Sequence, residues 1–140
     1  MTRFWLSLEQ GVRFVIYCIE EMEGGEVFIP KIPSTKVIDL AKAIALDAKL
    51  EIIGIRPGEK LHEMLISEDE ARHTIELDTM YVVQPAEATW FGYSWQDKGK
   101  TLKEGFTYSS DNNTEWLDVE GIKNYIAPFE ELFAQGKLEG

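Results

Sequence analysis

Leu50-Glu51-Ile52-Ile53-Gly54-Ile55-Arg56-Pro57-Gly58-Glu59-Lys60-Leu61-His62-Glu63 joins an isoleucine-rich apolar run to a charged turn and then to a helix-like pattern. Leu50 to Ile55 is short and bounded by Gly and Pro, which favours a buried strand over a helix segment. Pro57-Gly58 punctuates it. Beyond the turn, Leu61, Met64 and Leu65 recur at i, i+3 and i+4, so the spacing predicts a helix with one apolar face and with Glu59, Lys60 and Glu63 off that face. Arg56 is then expected at a strand end and Glu59 at a helix start. A planar guanidinium there can grip a phosphate with two parallel hydrogen bonds, N–H groups at a helix start add to an anion site, and a nearby carboxylate can accept from sugar hydroxyls. The alternative from spacing alone is a solvated Arg56–Glu59 ion pair at an ordinary turn.

Toward the N-terminus, Val37, Leu40, Ala41 and Ile44 predict a helix capped by Ser34 and ending near Leu46 or Asp47. Glu26 to Pro30 reads as a strand, and Pro30 and Pro33 keep Lys31-Ile32 out of a helix. Before it, Ser7 and Gln10 form a capping-box pair, and Leu8, Val12, Val15, Ile16, Ile19 and Met22 follow the helical period as far as about Met22. Gly24-Gly25 is the stop, and the apolar stripe is expected to lie in a core. Cys18, among Val15, Ile16 and Ile19, is expected to be a buried, inert thiol. Thr2 to Leu6 opens the chain as a short strand.

Toward the C-terminus, Ser67-x-x-Glu70 is a second capping box before one or two helical turns. Thr74 to Leu77 and Met80 to Val83 read as strands around a break at Asp78-Thr79. From Gln84 to Glu115 the pattern weakens, and Trp90, Phe91, Tyr93 and Trp95 stand in an irregular segment expected to pack on this domain, on another domain or on another subunit. A tail helix is expected at 118–134, with Asp118 as cap and Val119, Ile122, Tyr125 and Ile126 on one face. Pro128 should interrupt it, leaving Phe129, Leu132 and Phe133 in a last short piece and Gln135 to Gly140 fraying. The alternation of helices and strands predicts an α/β, mixed α+β arrangement.

With 140 residues and 44% hydrophobic content, the chain has length for one domain with its own core. Its net charge of −11 and the lack of a basic stripe argue against a nucleic-acid surface. An anionic small ligand would have to be met by a few local cations, for which Arg3, Arg56 and Lys60 are the candidates. Cys18 is the single cysteine, so no internal disulfide forms. No apolar run reaches transmembrane length and no leader pattern is present, so the sequence reads as a cytoplasmic chain.

Other chemistry is poorly served. His62-Glu63 resembles the start of a zinc protease helix, but Ile66 stands where the second histidine is needed. Neighbouring acids such as Glu68-Asp69-Glu70 point to different sides of a helix and cannot flank one bond. No G-x-G-x-x-G turn occurs. No tyrosine is followed four residues later by lysine.

Arg56-Pro57-Gly58-Glu59-Lys60-Leu61-His62-Glu63 resembles the motif near the C-terminal end of the inverting UDP-N-acetylglucosamine 4,6-dehydratases, members of the extended short-chain dehydrogenase/reductase superfamily. Met1 to Val12 resembles the segment that follows the family's catalytic half, and Gly105 to Leu117 is similar to its C-terminal tail. The resemblance covers nearly the whole chain in family order. It implies that Met1 is internal to a longer protein, that residues 1–30 hold the last elements of a nucleotide-fold domain, and that 31–140 form the UDP-sugar-binding lobe. It further implies an N-terminal domain, absent from this chain, that binds NADP and supplies the catalytic residues. The implied reaction is oxidation at carbon 4, loss of water across carbons 5 and 6, and return of the hydride to carbon 6 with inversion at carbon 5. The product would be a 4-keto-6-deoxy sugar nucleotide for surface polysaccharide or flagellar glycan. By the same resemblance Arg3 and Arg56 contact the diphosphate and Glu59 the uridine ribose, while no catalytic, cofactor or metal-binding residue falls in this chain. A homo-oligomer is expected, with no nucleic-acid or membrane partner. Two alternatives stand beside this reading: a non-catalytic sugar-nucleotide-binding or oligomerisation module, and part of a UDP-sugar epimerase.

Overall fold

A computed structural model describes residues 1–85 and 95–134, with side chains described as far as Pro128. The chain runs β1 (Thr2–Phe4), α1 (Leu8–Glu21), β2 (Val27–Pro30), β3 (Ser34–Lys36), α2 (Val37–Ile44), β4 (Met64–Ile66), α3 (Glu68–Ala71), β5 (Thr74–Glu76) and β6 (Met80–Val83). A 3₁₀ turn at Trp95–Asp97, short strands β7 (Lys100–Thr101), β8 (Tyr108–Ser109) and β9 (Trp116–Leu117), and α4 (Val119–Ala134) complete it. The expected mixed α/β class is what the chain forms. Among the described residues no helix is long and apolar enough to cross a membrane.

The strands form small sheets. In the first, β1 pairs antiparallel with β3, whose other edge takes β9 in parallel. In the second, β2, β6, β5 and β7 lie side by side, all antiparallel. β4 and β8 form an antiparallel pair, with a register shift between Met64 and Ile66. The core is built on the second sheet. One cluster joins Ile29, Tyr81, Ile66, Ala71 and Tyr108, with Phe4 and Phe106 against it. The other joins Ile75, Met80, Val82 and Trp95, with Phe14 of α1 and Phe28 against it.

Both capping boxes form as the sequence predicts: Ser7 with Gln10 opens α1, and Ser67 with Glu70 opens α3. Asp118 Oδ1 accepts the Gly121 N–H at 2.7 Å at the start of α4. The strand pair around Asp78-Thr79 forms too, with Ile75 opposite Val82. In the irregular segment Trp95 packs inside this domain, whereas Trp90, Phe91 and Tyr93 lie outside the described residues. The faces of Phe129, Leu132 and Phe133 and the course of 135–140 lie outside them as well.

Several expectations are overturned. Leu50–Ile55 is not a strand, and Glu59–Leu65 does not begin a helix: 45–63 carries no helix or strand, and Met64–Ile66 is itself a strand. Among the described residues no backbone hydrogen bond reaches 49–55. The run has strand composition, but a strand exists only against a neighbour. Ser34 does not cap α2; it is a fully buried residue of β3, and Lys36 stands at the N-cap without a side-chain hydrogen bond. α2 ends at Ile44, short of Leu46. Pro128 sits within α4, which continues through it to Ala134 at the cost of the hydrogen bond that the Asn124 carbonyl would have accepted.

The stripe on α1 is also displaced from the core. Val12 is 50% exposed, Ile19 65% and Leu8 82%. Instead the helix packs through Phe14, with Gly11 and Cys18 one turn to either side on the same face. At 3.6 residues per turn that face lies about a quarter turn from the stripe. Cys18 is accordingly half-buried, its thiol pushed up by that burial.

Candidate functional site

The segment from Leu50 to His62 leaves α2 and returns to the start of the chain, and the space it encloses with Met1, Thr2 and the Val37–Ala41 side of α2 is a groove of about 830 Å³. Its wall is mostly apolar. The polar groups set into it are few, with Arg56, Glu59 and His62 from the segment itself facing Lys36 and Thr2. A concave apolar surface with a few placed polar groups is the usual form of a small-molecule site.

The turn that presents Arg56 and Glu59 is closed twice. The Glu59 N–H donates to the Arg56 carbonyl at 3.0 Å, and the Arg56 N–H donates back to Glu59 Oε2 at 3.1 Å. Gly58 takes a φ of +81°, the conformation that the third residue of a type II turn requires after Pro57. The backbone link leaves the Arg56 guanidinium without an ion pair or hydrogen bond among the described residues, so the simple Arg56–Glu59 ion pair does not form. Arg56 is therefore a cation held at its backbone and open at its tip.

Arg3 is placed differently. Its Nη1 donates to the carbonyls of Thr2 at 2.7 Å and Leu61 at 3.3 Å, its Nη2 donates to the Lys60 carbonyl at 3.0 Å, and its Nε stands 3.4 Å from a Glu63 carboxylate oxygen. At most three of the five N–H groups a guanidinium carries are hydrogen-bonded to carbonyls, and Nε faces Glu63 as an ion pair. Arg3 thus stands behind the Lys60–Glu63 backbone, whereas Arg56 and Glu59 line the groove together.

Below the groove is a polar knot that the sequence did not reveal. Thr2 Oγ1 lies 2.8 Å from His62 Nδ1 and 2.7 Å from Ser110 Oγ, which accepts the Glu63 N–H at 2.9 Å. Backbone bonds run beside it, from Thr2 N to the Leu61 carbonyl at 2.9 Å and from Ser110 N to the Glu63 carbonyl at 2.8 Å. His62, expected as a helix residue that packs locally, is instead the link between the groove and residues near both ends of the described chain. The cluster of Ser and Asn at 109–113 was the available signal. Next to it, the Ser109 hydroxyl at 2.6 Å, helped by the backbone N–H of Asp111 itself, outweighs burial and holds the Asp111 carboxyl below its usual value.

A second cleft, of about 610 Å³, opens between the end of α1, the β5–β6 turn and Trp95. Two of its three cations are paired: Lys31 Nζ lies 2.8 Å from Glu76 Oε1, and Lys98 Nζ lies 3.7 Å from Glu21 and over the Trp95 ring. Burial, reinforced by the charge of Glu76, pushes the Tyr81 hydroxyl up to about 12. Lys100 lines the cleft as well, without an ion pair among the described residues, and the three cations are matched by Glu21, Glu76 and Asp78 of the same lining.

The profile of a family described as polysaccharide biosynthesis protein matches residues 1–85. The chain is 49% identical over 132 residues to the UDP-N-acetylglucosamine 4,6-dehydratase (inverting) of Campylobacter jejuni subsp. jejuni serotype O:23/36, covering 90% of this chain and 40% of the relative. It is 34% identical to the UDP-glucose 4-epimerase of Rickettsia massiliae, covering 38% of that protein. Among solved structures, the X-ray structure of Pen from Bacillus thuringiensis superposes with a TM-score of 0.74 at 29% identity, over 91% of this chain and 37% of the other. The chain thus spans about two fifths of the length of the curated relatives it matches.

Proposed function

Since this chain belongs to the polysaccharide biosynthesis protein family, we propose that it forms the UDP-sugar-binding part of an inverting UDP-N-acetylglucosamine 4,6-dehydratase. The observation that carries this reading is the groove lined by Glu59 and by Arg56, whose guanidinium has no partner among the described residues, on one closed turn. In it Arg56 grips the diphosphate and Glu59 accepts from the uridine ribose. Arg3, as the second diphosphate arginine, has to exchange a loop carbonyl for a phosphoryl oxygen or offer an N–H that no carbonyl takes. Residues 1–30 belong with a nucleotide-fold domain, and 31–140 form the sugar-nucleotide lobe.

The residues of this chain do not fit NADP. The sequence holds no Gly-rich turn, and the N-terminus of α1 is filled by Ser7, Gln10 and the Tyr125 hydroxyl, which accepts the Ser7 N–H at 3.1 Å. In this reading the cofactor and the catalytic residues belong to the nucleotide-fold domain that the exposed stripe of α1 packs against, the enzyme is a cytoplasmic homo-oligomer, and the present chain alone is inactive. Its product serves surface polysaccharide or flagellar glycan.

The test is a calorimetric titration of the 140-residue chain with UDP and UDP-N-acetylglucosamine beside Arg56→Ala. Saturable binding that weakens by about tenfold or more in the variant is expected, the loss of a charge-assisted contact. Equal binding by both proteins would remove Arg56 from the site. The likeness to the Rickettsia epimerase favours a second reading, part of a UDP-sugar epimerase, which a clear preference for UDP-glucose in the same titration would select.

A further inference from the structure

The hydroxyls of Thr2 and Ser110 are buried, at 6% and 0% exposure, so the hydrogen of each needs an acceptor inside the protein. Suppose His62 carried its proton on Nδ1. It would donate to Thr2, Thr2 would donate to Ser110, and the Ser110 hydrogen would have nowhere to go, because Ser110 Oγ has no other partner among the described residues than Thr2 and the Glu63 N–H. With Nδ1 bare the chain closes in one direction. The Glu63 N–H donates to Ser110, Ser110 to Thr2, and Thr2 to Nδ1, with every donor matched to an acceptor.

We infer that the Ser110–Thr2 pair fixes His62 as the neutral imidazole protonated on Nε2, and that this ring supplies the groove with a donor for a phosphoryl oxygen of a bound nucleoside diphosphate. The inference rests on the reading of the groove as a nucleotide site. The ring lines the same groove as Arg56 and Glu59, and its Nε2 has no partner among the described residues. Glu59, acceptor-only when ionised, suits ligand hydroxyls, so the oxygens of a diphosphate sort to Arg56 and His62. A neutral donor contributes direction where Arg56 contributes charge. Protonating the ring would put a second hydrogen on Nδ1 and reverse the chain, so the exposed Asp111 carboxylate, which attracts an imidazolium, pulls against the hydroxyl network. His62 is a binding residue in this account, and Thr2 and Ser110 are positioning residues.

Two measurements on the 140-residue chain test this. Long-range proton–nitrogen spectra in mildly basic buffer, with His62→Gln to separate its signals from those of His73, should show the hydrogen on Nε2 in the parent chain and mixed tautomers in Ser110→Ala. A parent ring protonated on Nδ1 would overturn the assignment. Calorimetry with UDP should show a loss of about threefold to tenfold in His62→Ala and His62→Asn, the scale of one hydrogen bond. Uridine binding should be unchanged by them, and His62→Gln, whose amide nitrogen can stand where Nε2 stood, should restore UDP affinity. UDP affinity indifferent to His62→Ala would overturn the donor role. No UDP binding by the folded parent chain would overturn the nucleotide reading and the ligand with it, while the tautomer would still be decided by its spectrum.

Discussion

Gly99 shows how little room single positions leave in so small a structure. A Cβ there would overlap the Glu76 carbonyl oxygen and come within 2.7 Å of Ile75 Cγ2 and Leu77 Cδ2, because the chain passes flat against β5 before pairing with it as β7. None of those atoms is the far end of a long flexible side chain. Gly99→Ala is expected to cost about 1–3 kcal/mol, the usual penalty of overpacking, read as a lower urea midpoint at an unchanged slope. An unchanged midpoint would mean that β7 moves away freely. Glu26 makes a different point. Burial disfavours its charge, yet the N–H groups of Glu26 itself and of Gly24, the Trp95 indole and the Glu23 N–H outweigh burial and hold the carboxyl below its ordinary value of 4.5. A carboxyl whose folded value lies below its unfolded one adds stability above about pH 4.5 and loses it as pH falls through the folded value. Glu26→Gln should therefore be less stable than the parent at neutral pH and show a flatter acid limb. Parallel acid-unfolding curves for the two proteins would show that the carboxylate is not coupled to folding.

Among the elements, those whose signal is local were legible from the sequence. The capping boxes at Ser7 and Ser67 and the strands around Asp78-Thr79 need only neighbouring residues, and they form as read. The strands at Thr2–Phe4 and Val27–Pro30 were legible as well, although their partners are distant, but two segments whose fate turns on a distant partner were misread. Ser34 has the composition of a cap, but β1 and β9 claim it for a sheet through residues at opposite ends of the chain. Leu50–Ile55 has the composition of a strand and meets no neighbour that would make it one. The site divides in the same way. The Arg56–Glu59 turn was visible because Pro57-Gly58 dictates it, even though the flanking strand and helix were misread. The Thr2–His62–Ser110 knot was missed, since the Ser and Asn cluster at 109–113 marks only one of its members and hydroxyls far apart in the chain carry no periodicity that would place them together.

For the whole molecule, the dominant fact is how much apolar surface it leaves in water. Leu8, Val12, Val15, Ile16, Ile19 and Met22 are each at least half exposed along α1, and Ile52 beside the groove is 96% exposed. A continuous face of this kind drives association. Light scattering of the chain across micromolar concentrations is expected to show a mass above that of the monomer, and Val15→Glu with Ile19→Glu should return it to monomer with little change in thermal midpoint, since neither side chain contributes to the core. A parent chain that stays monomeric throughout would show that this face does not hold two copies together. The way the first sheet is closed also bears on how the protein is made. β1 leaves the ribosome more than 100 residues before β9, but its neighbour β3 needs β9, and Thr2 needs Ser110. Folding of this sheet therefore waits on synthesis: until the region of β9 has cleared the exit tunnel, β1 and β3 lack the strand that completes their sheet, and their open edges stay exposed through that interval.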